Sequence, residues 1–303
     1  MLKSPFPYFG GKSRVAPEVW ERFGPVKNYI EPFFGSGSVL LANPNNPFPV
    51  ETVNDKDSFI ANVMRSLQKD PVQVAYWADQ PVNEVELHCR HNWLREQFKG
   101  DLGALLLSDP EFYDPKIAGL WLWGITCWIG WGWCSSKRSS NQIPFLSSYG
   151  MGYRALAYRD KITEYFVALS GRLKYVRVCC GEWDRILGPS VTTRHGLTGV
   201  FLDPPYSAKE RTAQLYAVES DGVAQKAARW AIENGDNPLL RIALCGYDTE
   251  HTFPDNWTAF TWKANGGYGN ASSNRGRANA GRETIWFSPH CLIPGQEASL
   301  CLK

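Results

Sequence analysis

The chain has 303 residues, of which 44 % are hydrophobic and 20 % are charged, and its formal net charge is +2. This composition excludes a disordered or collagen-like chain and supplies enough apolar material for a large core. The length allows two domains, or one domain that carries a large insertion.

The first 60 residues alternate between short apolar strands and helices. The predicted elements are a helix at Pro17–Phe23, a strand at Asn28–Glu31, a glycine loop at Pro32–Gly37, a helix that opens at Ser38–Ala42 and a strand at Thr52–Asn54. Such alternation is typical of a parallel, doubly wound α/β sheet.

From about Met64 to Phe166 the pattern changes to helical periodicity. We interpret residues 64–166 as an inserted, mainly helical domain, and residues 1–63 and 167–303 as the core. Within the insertion, the run from Ile117 to Trp133 has 17 residues without a charge. That is the short limit for a spanning helix, and Trp121, Ile125 and Trp128 share one helical face, so we expect a buried helix followed by a Gly-rich turn.

After residue 166 the alternation of strands and helices returns. The predicted strands are Tyr175–Cys179, Gly199–Leu202, Leu239–Leu244 and Thr284–Phe287, with a helix at Gly222–Glu233. The fold class is therefore predicted as α/β, with a doubly wound and mostly parallel sheet.

The stretch from Phe201 to Tyr206, FLDPPY, ends an apolar strand on an acid, two prolines and an aromatic ring. Neither proline can donate to a strand ladder, and both hold the neighbouring backbone extended. Asp203, a fixed carbonyl and a flat ring would then lie at the carboxyl edge of the sheet, where open α/β sheets bind ligands. For the tetrapeptide alone, a simple Asp-Pro turn is the alternative.

The stretch from Tyr29 to Ser38, YIEPFFGSGS, combines a strand, a glycine turn and a helix start, as nucleotide-binding folds do. The third glycine of a dinucleotide fingerprint is missing, and Glu31 precedes the turn, which favours a ligand with an ammonium group such as S-adenosylmethionine. Asp55 ends the next strand, where an acid reaches ribose hydroxyls. An NAD-like ligand or a structural turn stays open.

Two further motifs border this predicted edge. In PYFGGK, at residues 7–12, backbone amides and the Lys12 ammonium would face an anionic or polar group. In CGEWD, at residues 180–184, Glu182 and Trp183 follow a strand and could flank an adenine, although a buried Trp is an equally good interpretation.

Taken in order, PYFGGK, EPFFGSGSVLL, VNDKD, CCGEWDRIL, FLDPPY and RETIWF resemble the Dam-like DNA adenine-N6 methyltransferases. The resemblance covers most of the core and implies an S-adenosylmethionine-dependent, DPPY-type enzyme with a Rossmann-like core. It also implies that the insertion is the DNA target-recognition domain. The insertion itself departs from the family pattern at Trp131–Trp133 and Asn141–Phe145, which leaves the target sequence undetermined.

The motifs and the resemblance together predict two sets of site residues. The predicted cofactor contacts are Tyr8, Lys12, Glu31, Phe33, Gly35, Gly37, Asp55, Glu182, Trp183 and Asp203. The predicted catalytic residues are Asp203, Pro204, Pro205 and Tyr206. Because the lone pair of adenine N6 is delocalised, we expect Asp203 and the Pro204 carbonyl to accept its two hydrogens while Tyr206 stacks on the base, which must first be flipped out of the duplex.

The charge distribution suits double-stranded DNA as the partner. Residues 51–115 carry 12 acids and 6 bases, whereas residues 134–177 carry 8 bases and 2 acids, and residues 263–282 carry four bases and no acid. The predicted phosphate contacts in these basic stretches are Lys137, Arg138, Arg154, Arg275 and Arg277. For each residue alone, a solvated surface charge is the alternative.

Other features of the sequence indicate the cellular compartment and limit the expected partners. Eight cysteines without a CxxC pair, and a start unlike a signal peptide, predict free thiols and a cytoplasmic protein. His88, Cys89 and His91 lack a matching second half, so a helix surface is expected rather than a metal site. No membrane partner is expected. A restriction nuclease of the same system stays open as a partner, as do regulation and viral evasion as roles.

Three alternative functions remain at this point. Cytosine-N4 methylation uses the same geometry, although Asp rather than Ser before Pro-Pro favours adenine. RNA or a protein glutamine amide could replace DNA as the acceptor. A non-catalytic nucleic-acid-binding module could retain a methyltransferase fold. Cytosine-C5 methylation is disfavoured, because the Pro-Cys motif that it needs does not occur in the chain.

Overall fold

The structure is a computed structural model. It describes residues 2–8, 10–45, 48–99, 101–128, 132–134, 161–206, 222–262 and 283–295. The strands in these ranges are Asn28–Glu31 (β1), Val50–Asp55 (β2), Arg177–Cys180 (β3), Thr198–Leu202 (β4), Leu240–Tyr247 (β5), Thr258–Trp262 (β6) and Glu283–Phe287 (β7). The α-helices are Ala16–Phe23 (α1), Ser38–Leu41 (α2), Ser58–Lys69 (α3), Pro71–Ala78 (α4), Glu84–Lys99 (α5), Leu102–Ser108 (α6), Pro115–Cys127 (α7), Ile162–Leu173 (α8) and Val223–Asn234 (α9).

The seven strands form one sheet in the order β3-β2-β1-β4-β5-β7-β6. The strands from β1 to β5 are parallel to their neighbours, and β7 is antiparallel to both β5 and β6. The order reverses between β1 and β4, and such a switch point is where open α/β sheets bind ligands. The prediction of a mostly parallel α/β sheet is confirmed.

Both faces of the sheet are covered, as a parallel sheet requires. Along β4, Phe201 belongs to one hydrophobic cluster, whereas Val200 and Leu202 belong to the other. Tyr29 and Ile30 divide between the two clusters in the same way on β1. Helix α9 contributes only to the second cluster, through residues such as Ala227.

The bounds of β1 are as predicted, those of the other predicted strands differ from the observed ones by at most three residues, and β6 was not predicted. Strand β3 begins later than predicted, because Tyr175 is 84 % exposed and precedes the ladder. Strand β6 lies at the edge of the sheet with its residues mostly exposed. Its sequence therefore lacks the apolar run that marks a buried strand.

Helix α7 is buried along its length, which confirms the prediction of a buried helix at the start of the Trp-rich run. It packs against α3, α4 and α5, and its Trp121 contacts Phe6 edge-on with 5.0 Å between ring centroids. Among the described residues, no helix is both long and apolar enough to cross a bilayer. The boundaries of an inserted domain at residues 64 and 166 stay a prediction.

Candidate active site

A solvent-open cleft lies at the carboxyl ends of β1, β2 and β4. Ten of the predicted site residues line it: Tyr8, Lys12, Glu31, Phe33, Gly35, Asp55, Glu182, Trp183, Asp203 and Pro205. Gly37, Pro204 and Tyr206 are not among its lining residues. The strand topology thus brings together motifs that are separated by up to about 200 residues in the chain.

The glycine turn after β1 has a backbone conformation that residues with a Cβ atom rarely adopt. Gly35 and Gly37 have φ values of +51° and +70°, and both belong to the left-handed region. A Cβ on Gly35 would lie 2.7 Å from Cδ1 of Tyr8, and a Cβ on Gly37 would lie 2.4 Å from Cζ of Phe34. Gly35 therefore allows the turn to approach the N-terminal segment closely, and Gly37 leaves room for the Phe34 ring.

Asp55 at the end of β2 is held by the glycine turn. Its Oδ2 accepts a hydrogen bond from the Gly35 amide at 2.8 Å, and its Oδ1 accepts one from the Asp57 amide at 2.9 Å. Burial raises the pKa of Asp55 to about 6, although these amides oppose the shift. Burial, with the nearby Asp55 charge, raises the pKa of Asp57 to about 7.

Asn54 lines the cleft but was not among the predicted site residues, although it belongs to the VNDKD motif. Its Nδ2 donates to the carbonyl oxygens of Pro32 at 3.1 Å and Gly181 at 3.0 Å. These carbonyls belong to the loops after β1 and β3, on either side of the cleft. Asn54 therefore fixes the spacing of the two loops. A polar residue that is buried at the end of a strand was the available signal.

The loop after β3 supplies an aromatic wall and a polar rim. The rings of Phe33 and Trp183 stack with 5.6 Å between centroids and 25° between planes. At the rim, Lys56 Nζ lies 2.5 Å from Glu182 Oε1, and both side chains are about half exposed. This side of the cleft therefore has a flat, apolar wall formed by the two rings and a charged rim that is exposed to solvent.

Asp203 lies at the end of β4 in contact with Lys12. Lys12 Nζ lies 2.8 Å from Asp203 Oδ2 and donates to the Gly10 carbonyl oxygen at 2.7 Å, while the Lys12 amide donates to Ser38 Oγ at 3.2 Å. Burial lowers the pKa of Lys12, but the Asp203 and Glu283 charges outweigh it and raise that pKa overall. Burial raises the pKa of Asp203, and Lys12 opposes that shift.

Tyr206 is buried and held through its hydroxyl. The Tyr206 hydroxyl donates to Glu283 Oε2 at 2.7 Å, and its ring meets the Tyr247 ring edge-on with 4.7 Å between centroids. Lys12 Nζ lies 5.3 Å from the Tyr206 ring centroid. Glu283 was not among the predicted site residues, although it belongs to the RETIWF motif.

A sequence model described as D12 class N6 adenine-specific DNA methyltransferase matches residues 8–97. These residues include the first three motifs except Pro7, and most of the residues that line the cleft. The DNA adenine methylases of two Vibrio cholerae serotype O1 strains, Classical Ogawa 395 and El Tor Inaba N16961, are each 23 % identical to the chain over 257 residues. The alignments cover 80 % of this chain and 80 % of each relative.

The match over residues 8–97 and the two distant relatives support the D12 class of N6 adenine-specific DNA methyltransferases as the family of this chain. The resemblance inferred from the motifs is thereby confirmed, and so is adenine-N6 methylation of DNA as the reaction. The comparisons favour adenine-N6 over cytosine-N4 as the methylated atom, and DNA over RNA or protein as the substrate.

Some predicted residues of this methyltransferase cannot be placed against the cleft. Lys137, Arg138, Arg154, Arg275 and Arg277 all lie outside the described residues, and their contacts to phosphates stay predictions. The cofactor and catalytic roles of the residues that line the cleft also stay predictions.

The HCRH segment of the methyltransferase lies on α5, but the prediction that it forms a helix surface is wrong for His91. His91 is buried and stacks on Trp128 with 4.7 Å between ring centroids. Its Nδ1 accepts a hydrogen bond from the Cys134 amide at 3.2 Å, and burial lowers its pKa to about 4. Cys89 is exposed. Within the described ranges, no cluster of His, Cys, Asp and Glu could hold a metal ion.

Proposed function

We propose that the chain transfers the methyl group of S-adenosylmethionine to N6 of an adenine flipped out of duplex DNA, and that Asp203 binds the reacting amino group. The observation that carries the proposal is the position of Asp203. Its carboxylate lies at the switch point of the sheet, on the same cleft as the glycine turn, and is paired with a buried lysine. A carboxylate in that position can bind an acceptor next to a bound cofactor.

The chemistry of the cleft fits S-adenosylmethionine. Glu31 is 2 % exposed and accepts a hydrogen bond from the Tyr29 hydroxyl at 2.9 Å, and burial raises its pKa well above the usual range. An ammonium group bound beside Glu31 would stabilise the ionised carboxylate. Asp55 would accept from ribose hydroxyls, and the Phe33–Trp183 wall would contact an adenine ring. The bound cofactor would supply a methyl group on a positively charged sulfur.

The Asp203 carboxylate would orient the amino group of the target adenine. A carboxylate has about four lone-pair directions, so the contact with Lys12 leaves acceptor capacity for an amino hydrogen. The Pro204 carbonyl would accept the second hydrogen, which turns the N6 lone pair towards the methyl group. With the cofactor bound, its methyl carbon would bond to N6 while the electrons of the C–S bond stay on sulfur, and N6 would then release one proton to water. Orientation supplies most of the rate enhancement.

Lys12 would keep Asp203 ionised throughout this step. Since Lys12 is 2 % exposed and donates to the Gly10 carbonyl, its ammonium cannot move into solvent without breaking that partly buried hydrogen bond. The developing positive charge on N6 would be stabilised by the Asp203 carboxylate and by the oriented carbonyl. Neither a covalent intermediate nor a strong base is required.

The proposal is tested with purified protein, labelled S-adenosylmethionine and plasmid DNA from a host without DNA methylation. We expect label in N6-methyladenine after the DNA is digested to nucleosides. Asp203→Asn should lower kcat by about 100-fold or more, because it removes the charge that stabilises the transition state. Glu233→Gln, which changes an exposed acid on α9, is the matched control and should keep wild-type kcat.

Two results would contradict the proposal. The first is wild-type protein that transfers no label to any adenine-containing DNA. The second is an Asp203→Asn variant that retains wild-type turnover. Melting curves and DNA-binding curves of the variant must match those of the wild type, so that a loss of kcat reports on the reaction and not on folding.

A further inference from the structure

Glu283 is a buried acid at the start of β7 that no motif-based argument assigned to the site. Its side chain is 11 % exposed. Its Oε2 accepts the Tyr206 hydroxyl hydrogen bond at 2.7 Å and lies 3.9 Å from Lys12 Nζ. It does not line the cleft. Glu283 therefore contacts two residues of the predicted site without lining the cleft itself.

The sheet register holds Glu283 in this position. On β7 it pairs with Tyr247 of β5 on one side and with Trp262 of β6 on the other. Paired residues on neighbouring antiparallel strands project from the same face of the sheet. The Tyr247 ring contacts the Tyr206 ring edge-on, so Tyr247 and Glu283 hold the ring and the hydroxyl of the same tyrosine.

The electrostatic arrangement links Glu283 to Asp203. A buried carboxylate is costly unless it is paired, and the cation that contacts Glu283 within the described residues is Lys12, which also contacts Asp203. Lys12 thus lies between two acids, at 2.8 Å from one and 3.9 Å from the other. Without the Glu283 charge, Lys12 would interact more strongly with Asp203 alone and would weaken it as an acceptor for the amino group.

We infer that Glu283 is a positioning residue for methyl transfer, which holds the Tyr206 hydroxyl and shares the Lys12 ammonium with Asp203. The inference rests on the proposed function. Glu283 acts on the reacting base only through Tyr206, Lys12 and Asp203. Its loss should therefore slow the transfer step and leave cofactor binding unchanged.

The first test is Glu283→Gln, assayed with labelled S-adenosylmethionine and plasmid DNA from a methylation-free host. The variant keeps the shape of the side chain and an acceptor for the Tyr206 hydroxyl but removes the charge. We expect kcat to fall by about 10- to 100-fold. The KM for S-adenosylmethionine and its Kd from calorimetry should stay within about twofold of wild type. Glu233→Gln should change none of these values.

Tyr206→Phe is the second test, because it removes only the hydroxyl and keeps the ring in the core. We expect a loss of kcat of similar size to that of Glu283→Gln. The double variant should lose less than the product of the two single losses, since the Glu283 charge and the Tyr206 hydroxyl act through one and the same contact. This test holds even if Glu283→Gln lowers the melting temperature too far for assay.

The outcomes separate the inference from the proposed function. If wild-type protein methylates adenine while both single variants keep wild-type kcat, the inference is wrong and the proposed function stands. Equal losses in kcat and in cofactor affinity would also overturn it, because Glu283 would then shape the whole cleft. If wild-type protein transfers no label, the proposed function itself fails.

Discussion

Replacing Lys12 with methionine tests whether the buried charges at the switch point stabilise the fold as well as the reaction. Lys12→Met keeps an unbranched apolar chain of similar length and removes the ammonium. Asp203 and Glu283, which lie 2.8 Å and 3.9 Å from Lys12 Nζ, then lose their shared cation. The Gly10 carbonyl also loses its donor.

The size of the effect follows from the burial of the three side chains. Removing one partner of a buried ion pair costs about 3–5 kcal/mol. Lys12 is 3 % exposed, but Asp203 is 21 % exposed and keeps part of its hydration. We therefore expect the lower end of that range, about 3 kcal/mol, in the free energy of unfolding. For a chain of this size, that loss lowers Tm by about 6 °C.

The loss should depend on pH. In the Lys12→Met variant the pKa values of both acids rise further, so the folded state binds more protons than the unfolded state above the ordinary carboxyl pKa. Stability then falls as pH rises. The deficit relative to wild type should be small near pH 4 and complete at pH 8.

Denaturant unfolding at pH 4, 6 and 8 measures this deficit. Lys69→Met is the matched control, because Lys69 Nζ lies 3.4 Å from Glu111 Oε2 and both side chains are largely exposed. Exposed pairs of this kind contribute less than about 1 kcal/mol. If the Lys12 and Lys69 variants unfold at the same denaturant concentration at pH 8, or if the Lys12 deficit does not change with pH, the reasoning is refuted.

Two further substitutions test the glycine turn and the acid that follows β2. Gly37→Ala places a Cβ 2.4 Å from Phe34 Cζ at a φ of +70°, so it should cost about 1–3 kcal/mol of unfolding free energy. Gly171→Ala, with open space around it on α8, should instead stabilise by up to about 1 kcal/mol, and equal melting of both variants would contradict this. Asp57→Asn keeps an acceptor for the Phe59 amide that caps α3 and removes a buried acid of raised pKa. Stability should rise by more than about 1 kcal/mol at pH 8 and stay unchanged at pH 4; a gain of equal size at both pH values would contradict the assigned cause.

The cleft could be predicted because its key acids end successive strands. Glu31 ends β1, Asp55 ends β2, and Asp203 directly follows β4. The carboxyl ends of parallel strands meet at one edge of a sheet, so acids in these local positions converge whatever their separation in the chain. The glycines of the turn could also be predicted, because their left-handed backbone requires that residue type locally.

Residues that act through distant contacts could not be predicted in this way. Glu283 contacts Tyr206 across 77 residues, and Asn54 contacts Gly181 across 127 residues. His91 belongs to a polar helical segment, but packing against Trp128, the residue that follows α7, and Trp133 buries it. The local pattern of residue types does not show which distant side chains these three residues contact in the fold.

By itself, the sequence determined the alternation of strands and helices, the turns, and the residue types at the strand ends, because these depend on neighbours within a few positions. The tertiary structure alone decided the strand order, the antiparallel insertion of β7 between β5 and β6, and the resulting contact of Lys12 with both Asp203 and Glu283. A buried charge is stabilised by whichever partners the packed chain brings within a few ångströms. Those partners come from opposite ends of the sequence, and only the folded sheet brings them together.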